Sequence, residues 1–202
     1  MKMDPLSNLA LKMCTLTIAV AATASCAAMA TGTDHQITNT TNSTAITLGN
    51  AAMTSGTNDT VAIGNMANAG LNSATAVGGQ ANAAGLGSTS IGWQSKATAE
   101  RAQAFGHLAN ASGVRATAVG EAAAAQGANS VALGNKSMAG GMNSIAIGNG
   151  AMAVKNNQVV LGNAGQVQSS TASQSGTVRI VTIDDNGTLG TMMVDYYKKS
   201  AK

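Results

Sequence analysis

Apolar and small residues recur with a fixed period through the middle of the chain. A glycine marks each period: the second follows the first at the fifteenth position, and every later one follows its predecessor at the fourteenth. A constant period of this kind indicates one structural unit stacked on copies of itself. The nine repeat glycines are Gly49, Gly64, Gly78, Gly92, Gly106, Gly120, Gly134, Gly148 and Gly162.

Within each unit, apolar and small residues alternate on either side of the glycine. The residue directly before it is always apolar, the third before it is mostly β-branched, and the third after it is small. The fifth after it is alanine in the seven units from Ala69 to Ala153. Alternation with period two is typical of β-strands, so each unit is predicted to form two short strands, for example over residues 130–133 and 137–139. The nine apolar residues before the glycines, expected to form the core, are Leu48, Ile63, Val77, Ile91, Phe105, Val119, Leu133, Ile147 and Leu161.

Two bends in each unit close the predicted coil. One is expected at the repeat glycine, because glycine adopts the positive φ of a tight turn. The other is expected seven residues later, near Gly85, Gly113, Gly127 and Gly141. Each coil then starts one strand spacing, about 4.8 Å, beyond the last. The sequence therefore predicts an all-β parallel β-roll solenoid of about nine 14-residue coils over residues 44–166.

Composition makes this roll thin and excludes several functions. Only 9% of residues are charged and 2% are aromatic, against about 25% charged in an ordinary domain. A roll with so few large side chains buries little, so it is expected to associate with copies of itself through alanine-rich or aliphatic faces. Nucleic-acid binding requires a clustered basic face, which the sequence lacks. The two histidines do not form a ligand cluster, and no metal site, cofactor or catalytic residue is predicted.

Residues 1–30 are predicted to be a secretory signal peptide. Lys2 and Lys12 supply positive charge, residues 13–24 are apolar, and a small-x-small site precedes cleavage after Ala30. A transmembrane anchor is less favoured, because a span needs about 18 or more strongly apolar residues. An alternative is a lipoprotein, since residues 23–26 loosely resemble a lipobox that would place a lipid on Cys26.

The other flanking segments are short and polar. Residues 31–43 form a polar lead-in, residues 167–176 a linker, and residues 177–202 a small β element with a basic tail. Asn186-Gly187 is suited to a two-residue type I′ hairpin turn.

The repeat resembles a known family. Residues 129–134 read Asn-Ser-Val-Ala-Leu-Gly and residues 143–148 read Asn-Ser-Ile-Ala-Ile-Gly, each with a small residue three positions after the glycine. This pattern resembles the YadA-like head repeat of trimeric autotransporter adhesins. The resemblance implies a left-handed roll, a homotrimer at the cell surface of a Gram-negative bacterium, and binding to extracellular matrix, host cells or neighbouring cells. The family's membrane-anchor barrel is not recognisable after residue 165, so an attachment of the chain's own is expected only through a lipidated Cys26.

The residue after each repeat glycine varies most in chemistry along the chain. Such variation on a fixed scaffold is typical of binding surfaces, and Trp93, His107 and Glu121 are therefore the candidate ligand contacts. An incidental turn residue, or one packed between chains, is the alternative for Trp93. A non-adhesive spacer or an ice-binding type of flat solenoid is the alternative for the whole protein, based on Thr75, Thr89 and Thr117 in one column that Gln103 interrupts.

Overall fold

The computed structural model describes residues 44–56, 58–175 and 179–193. They fall into two compact units, of which the first ends at Asn163 and the second begins at Ala164. The predicted signal peptide, the lead-in and the last nine residues lie outside the described residues. Within the described part of the chain, no helix is long and apolar enough to cross a membrane.

The first unit is a parallel β-roll built of two sheets. The first sheet has nine strands: β1 (Ala45–Leu48), β3 (Thr60–Ile63), β5 (Thr75–Val77), β7 (Thr89–Ile91), β9 (Gln103–Phe105), β11 (Thr117–Val119), β13 (Val131–Leu133), β15 (Ile145–Ile147) and β17 (Val159–Leu161). The second sheet has eight: β2 (Met53–Thr54), β4 (Asn68–Ala69), β6 (Asn82–Ala83), β8 (Lys96–Ala97), β10 (Asn110–Ala111), β12 (Ala124–Ala125), β14 (Met138–Ala139) and β16 (Met152–Ala153). Each coil therefore contributes one strand to each sheet, as the period-two pattern predicts.

Neighbouring coils pair in the register that the glycine spacing predicts. Thr117 of β11 lies opposite Val131 of β13, an offset of one repeat, and the same offset joins β12 to β14. The first coil is longer than the others by one residue. The sequence separation between paired residues is one greater for β1 with β3, and for β2 with β4, than for the other strand pairs. The extra residue lies between β2 and β3. The all-β parallel solenoid is thus confirmed.

The interior of the roll holds only small side chains. Every buried hydrophobic residue among the described positions is an alanine, and the buried polar residues are Thr60 and six serines. They occupy the positions two and four before the glycine and three and five after it; in the coil of Gly120 these are Ala118, Ala116, Ala123 and Ala125. Each of the four has no exposed surface. The core is therefore one methyl or hydroxyl group deep from either sheet.

The predicted core of larger aliphatic residues is wrong. Alternation predicted the correct period, but each strand has two sets of residues with that period, one on either side. The narrow interior admits only the set with small side chains. The set with large side chains points outward from the first sheet, where these side chains are half-buried or exposed. These residues are Leu48, Ile63, Val77, Ile91, Phe105, Val119, Leu133, Ile147 and Leu161.

Buried serines satisfy their hydroxyl groups inside the same narrow space. Ser90 Oγ lies 2.7 Å from Ser95 Oγ, and Ser144 Oγ donates to the Gly141 carbonyl at 2.6 Å. A buried hydroxyl without a partner costs stability, so these bonds allow serine to replace alanine. Ser130 Oγ is the one buried side-chain polar atom in the described chain that has no partner.

The repeat glycines are required for two reasons. Gly120 has a φ of 129° and Gly134 one of 131°, a conformation that residues with a side chain rarely adopt. In addition, a Cβ at Gly120 would lie 2.6 Å from the carbonyl oxygen of Gly134 in the next coil. The glycine column therefore permits the turn and also the close approach of successive coils.

The second bend occurs where it is predicted but for a different reason. Gly127 is not among the residues with positive φ; that conformation belongs to the residue two positions later, such as Asn129 with a φ of 55°. A Cβ at Gly127 would instead overlap the carbonyl group of Gly141. Glycine is used here for close packing between coils rather than for its φ.

The ninth unit is incomplete. Its first strand, β17, is present, but Gly162 is followed by helix α1 (Ala164–Ala172) rather than by a second-sheet strand. The roll consequently has eight complete coils and a ninth strand. The helix also occupies most of the segment for which a polar linker is predicted, and the sequence gives little sign of it, because α1 carries neither an acidic first turn nor a basic last turn.

The second unit also contains an antiparallel hairpin. Strands β18 (Arg179–Ile183) and β19 (Leu189–Met193) pair with Ile183 opposite Leu189. This hairpin lies within the segment for which a β element is predicted, and its turn includes Asn186 and Gly187, but it is not the predicted type I′ turn. Gly187 has positive φ and Asn186 does not, and Asp184 Oδ1 accepts N–H groups from Asn186 and Thr188 at 3.0 and 2.7 Å. This is a longer turn that ends on a left-handed glycine.

Candidate functional site

Each coil turns directly after its repeat glycine, and the residue that follows the glycine forms the start of this turn. The next residue has positive φ, for example 58° at Leu108 and 53° at Ala122. Its N–H donates to the carbonyl one coil back, from Leu108 to Trp93 at 3.0 Å and from Ala122 to His107 at 2.8 Å. The turns therefore stack in register, and residues at the same turn position become neighbours. We call the column after the glycines the turn ladder: Asn65, Gly79, Trp93, His107, Glu121 and Asn135.

The three predicted contact residues lie on consecutive rungs of the turn ladder. The rings of Trp93 and His107 are stacked, with centroids 5.0 Å apart and planes inclined by 14°. On the other side of the imidazole, His107 Nδ1 lies 3.7 Å from Glu121 Oε1. Asn135 Nδ2 then donates to Glu121 Oε2 at 3.1 Å. Residues one repeat apart in sequence are thus joined into one continuous row of side chains.

The row is open to solvent. Trp93 retains 48% of its accessible surface, and the side chains of His107 and Glu121 retain 46% and 59%. Contacts along the row hold the rings without covering them, so both an aromatic face and polar edges remain available to a ligand. Sequence reasoning identified the three residues but not their mutual contacts, because the turn geometry that aligns them is not encoded in any local motif.

Gly79 and two glutamines complete the surroundings of Trp93. A Cβ at Gly79 would lie 3.2 Å from Trp93 Cδ1 and 4.0 Å from the Asn65 carbonyl oxygen. Beside them, Gln94 Nε2 donates to Gln80 Oε1 at 2.6 Å. These glutamines are not among the predicted contact residues, and the signal that could have indicated them is their separation by one repeat.

A second surface feature is the outer side of the first sheet. We call it the aliphatic face, and define it by the nine outward residues before the glycines together with the residues two positions earlier. Ile91, Leu133 and Ile147 are exposed by 39%, 43% and 38%. Because the coils are in register, the residues directly before the glycines form one apolar strip along the whole roll. The column beside this strip also contains Thr75, Thr89, Gln103 and Thr117. An exposed apolar strip of this extent marks an interaction surface.

Metal chemistry finds no support in the described residues. They contain no group of three or more histidine, cysteine, aspartate or glutamate side chains that could hold a metal ion. His107 and Glu121 are one pair only, and a zinc site usually draws three or four protein ligands.

Comparison with known proteins identifies the repeat. The family model of the YadA head domain repeat matches five overlapping segments, residues 72–95, 83–109, 97–123, 111–137 and 125–151. Residues 72–151 therefore consist of repeats similar to those of the YadA head domain. The matched segments include Trp93, His107 and Glu121.

Among solved structures, the chain is similar to the collagen-binding domain of the Yersinia adhesin YadA. The two share 27% sequence identity over 71% of this chain and 85% of that one, with a TM-score of 0.45. No curated protein gives a significant match to the chain.

Proposed function

We propose that the chain assembles into a homotrimer through its aliphatic face. An isolated roll leaves Val77, Val119 and their column partners in contact with water while its own core contains only alanine, serine and threonine. Full burial of a valine, leucine or isoleucine side chain stabilises a fold by about 1.5–3 kcal/mol. Association that covers the aliphatic face supplies the burial that the interior of one roll cannot. The YadA-like head repeat supports three as the number of chains.

The trimer acts as an exported, adhesin-type head of a Gram-negative bacterium, at the cell surface or in the extracellular medium. It binds extracellular matrix, host cells or neighbouring cells through its outer surface and is not an enzyme. The observation that carries this proposal is the match of residues 72–151 to the head repeat. The similar Yersinia structure is described as collagen-binding, and collagen is the first ligand to test.

Attachment of the purified trimer to immobilised collagen and to cells tests the binding function. We expect concentration-dependent attachment, measured against a denatured sample of the same chain. A trimer that binds neither collagen nor any matrix protein or cell type examined would contradict the adhesin function and leave the spacer interpretation.

The ice-binding alternative has no specific structural support. Thr75 and Thr117 lie on the first sheet, in the same column as Val61, Gln103 and Val131, and are half-buried. An assembly through the aliphatic face would cover them.

A further inference from the structure

The turn ladder has a gap beside Trp93, on the side away from His107. His107 stacks on one face of Trp93, but the coil on the other side contributes Gly79, which has no side chain. The next rung, Asn65, is two coil spacings from Trp93, or about 10 Å. This separation leaves room for one six-membered ring in van der Waals contact, at about 3.5–4 Å, with the indole.

The floor and walls of the gap are defined by the surrounding contacts. The edge of the indole lies over Gly79, since a Cβ there would lie 3.2 Å from Trp93 Cδ1 and 3.7 Å from Trp93 Nε1. The space for a ligand is therefore between the indole and Asn65. Gln80 and Gln94 lie beside it and bond to each other through the Gln80 oxygen and one Gln94 N–H. The Gln80 nitrogen and the Gln94 oxygen are left to donate and accept further bonds. Trp93 Nε1–H adds another donor.

These surroundings are uncharged, which selects among flat ligands. Asn65, Gln80 and Gln94 offer amide donors and acceptors but no ionic group. A nucleic acid would require cations along the groove, and Lys136, the first basic residue at the same turn position as Gln80 and Gln94, is three coils away from Gln94. A pyranose ring matches the site, since its C–H face can lie on the negative face of the indole while its hydroxyl groups both donate to and accept from amides.

We infer that the Gly79 gap is a carbohydrate subsite, in which one hexopyranose unit stacks on Trp93 and hydrogen-bonds to the amides of Asn65, Gln80 and Gln94. The inference rests on the proposed function only in taking the turn ladder as an exposed surface of the assembled protein. It narrows the ligand from matrix or cells in general to a glycan carried by them.

The test uses Trp93 as its own probe, because it is the single tryptophan of the chain. The trimeric full chain is titrated with methyl β-glucopyranoside, methyl β-galactopyranoside and methyl α-mannopyranoside, and the indole N–H resonance and tryptophan emission are followed. Sorbitol, which has hydroxyl groups but no ring, is the control ligand. At least one pyranoside is expected to give a saturable shift, and sorbitol none.

Two matched variants separate the gap from the rest of the roll. Gly79→Asn inserts the side chain found at the same position in other coils and keeps Trp93; its saturable shift is expected to disappear. Asn149→Gly removes an exposed side chain after Gly148, four coils from Trp93 and outside the turn ladder, and is expected to respond like the parent. Circular dichroism and mass show that each variant keeps its fold and assembly.

The inference is overturned if no pyranoside in the panel shifts the Trp93 signals, if Gly79→Asn responds like the parent, or if acrylamide does not quench Trp93 emission in the trimer. Its failure is distinguishable from that of the proposed function. If the trimer attaches to cells but no pyranoside changes the Trp93 signals, only the carbohydrate subsite is refuted. If the protein is a monomer whose Trp93 signals respond to a pyranoside, only the trimer is refuted.

Discussion

The two outer faces of the roll carry different side chains although the same coils build both. Outside the first sheet lies the aliphatic face, in which every residue before a repeat glycine is apolar. Outside the second sheet, the corresponding outward positions are Met53, Asn68, Asn82, Lys96, Asn110, Ala124, Met138 and Met152. We call these eight positions the amide face, because most of those in the middle coils are amides, with one lysine among them.

This difference indicates how a roll without a bulky core is stabilised. The amide face carries polar groups that water can solvate, and one pair of them is bonded within the chain: Asn68 Nδ2 donates to Asn82 Oδ1 one coil away at 3.0 Å. The aliphatic face has no equivalent device, because contact along the strip leaves Leu133 and Ile147 about two-fifths exposed. The amide face can therefore remain in contact with water, whereas the aliphatic face is expected to pack against a second copy of the chain.

The largest expected effect comes from placing a charge on the aliphatic face. In the proposed trimer, Val119→Lys would bury an unpaired ammonium group at each of three symmetry-related positions, and an unpaired charge is costly to bury. We expect dissociation of the trimer and a loss of at least about 3 kcal/mol per chain, measured by sedimentation and by denaturant unfolding.

Ala124→Lys is the matched control, because Ala124 is half-buried on the amide face of the same coil. We expect it to remain trimeric with stability within about 0.5 kcal/mol of the parent. If the two lysine variants behaved alike, the functional difference between the faces would be refuted.

A smaller effect is expected from alanine at the bends that follow the two kinds of strand. Gly134→Ala, after a first-sheet strand, meets a φ of 131° and places Cβ 2.7 Å from the Gly148 carbonyl oxygen. Strain of this kind costs about 1–3 kcal/mol, and the clash adds to it. Thermal unfolding should show a clearly lower midpoint.

Gly140→Ala, after a second-sheet strand, is the control for the bends. Its Cβ would find its first neighbour at 3.8 Å, and Gly140 does not have positive φ. We expect a neutral effect or a gain of about 0.4–1 kcal/mol from a stiffer unfolded chain. A Gly140→Ala variant that is as unstable as Gly134→Ala would show that the backbone positions have been misassigned.

The smallest expected effect concerns the amide face itself. Asn82→Ala removes the acceptor of the Asn68 side chain, and an ordinary hydrogen bond contributes about 0.5–1.5 kcal/mol. Denaturant unfolding should detect this loss, while sedimentation should show an unchanged trimer. Dissociation by Asn82→Ala would instead place the amide face in the interface.

Much of the fold could be predicted because the repeat restates it in every coil. Glycines at 14-residue intervals determine the register, and period-two alternation determines the strands. It was harder to predict which side of each strand faces the core. Ala118 and Val119 both belong to alternating sets, and only the narrow separation of the two sheets decides that the alanine points inward.

The candidate site was predictable residue by residue but not as an arrangement. Variation after the repeat glycines selected Trp93, His107 and Glu121, and the structure brings them onto consecutive rungs. The role of Gly79 could not be predicted, because the absence of a side chain there matters only next to the indole ring of Trp93, which it leaves uncovered. Helix α1 was hidden for another reason, since its polar sequence lacks capping charges and a strong apolar stripe.

The central claim is that the aliphatic face is covered by other copies of the chain. Sedimentation equilibrium of the purified protein tests it most directly, over a range of concentrations and without denaturant. The predicted result is a single species of three times the chain mass that dissociates only as the chain unfolds. A folded, stable monomer, with the far-ultraviolet spectrum of a β-roll and the aliphatic face open to solvent, would contradict it.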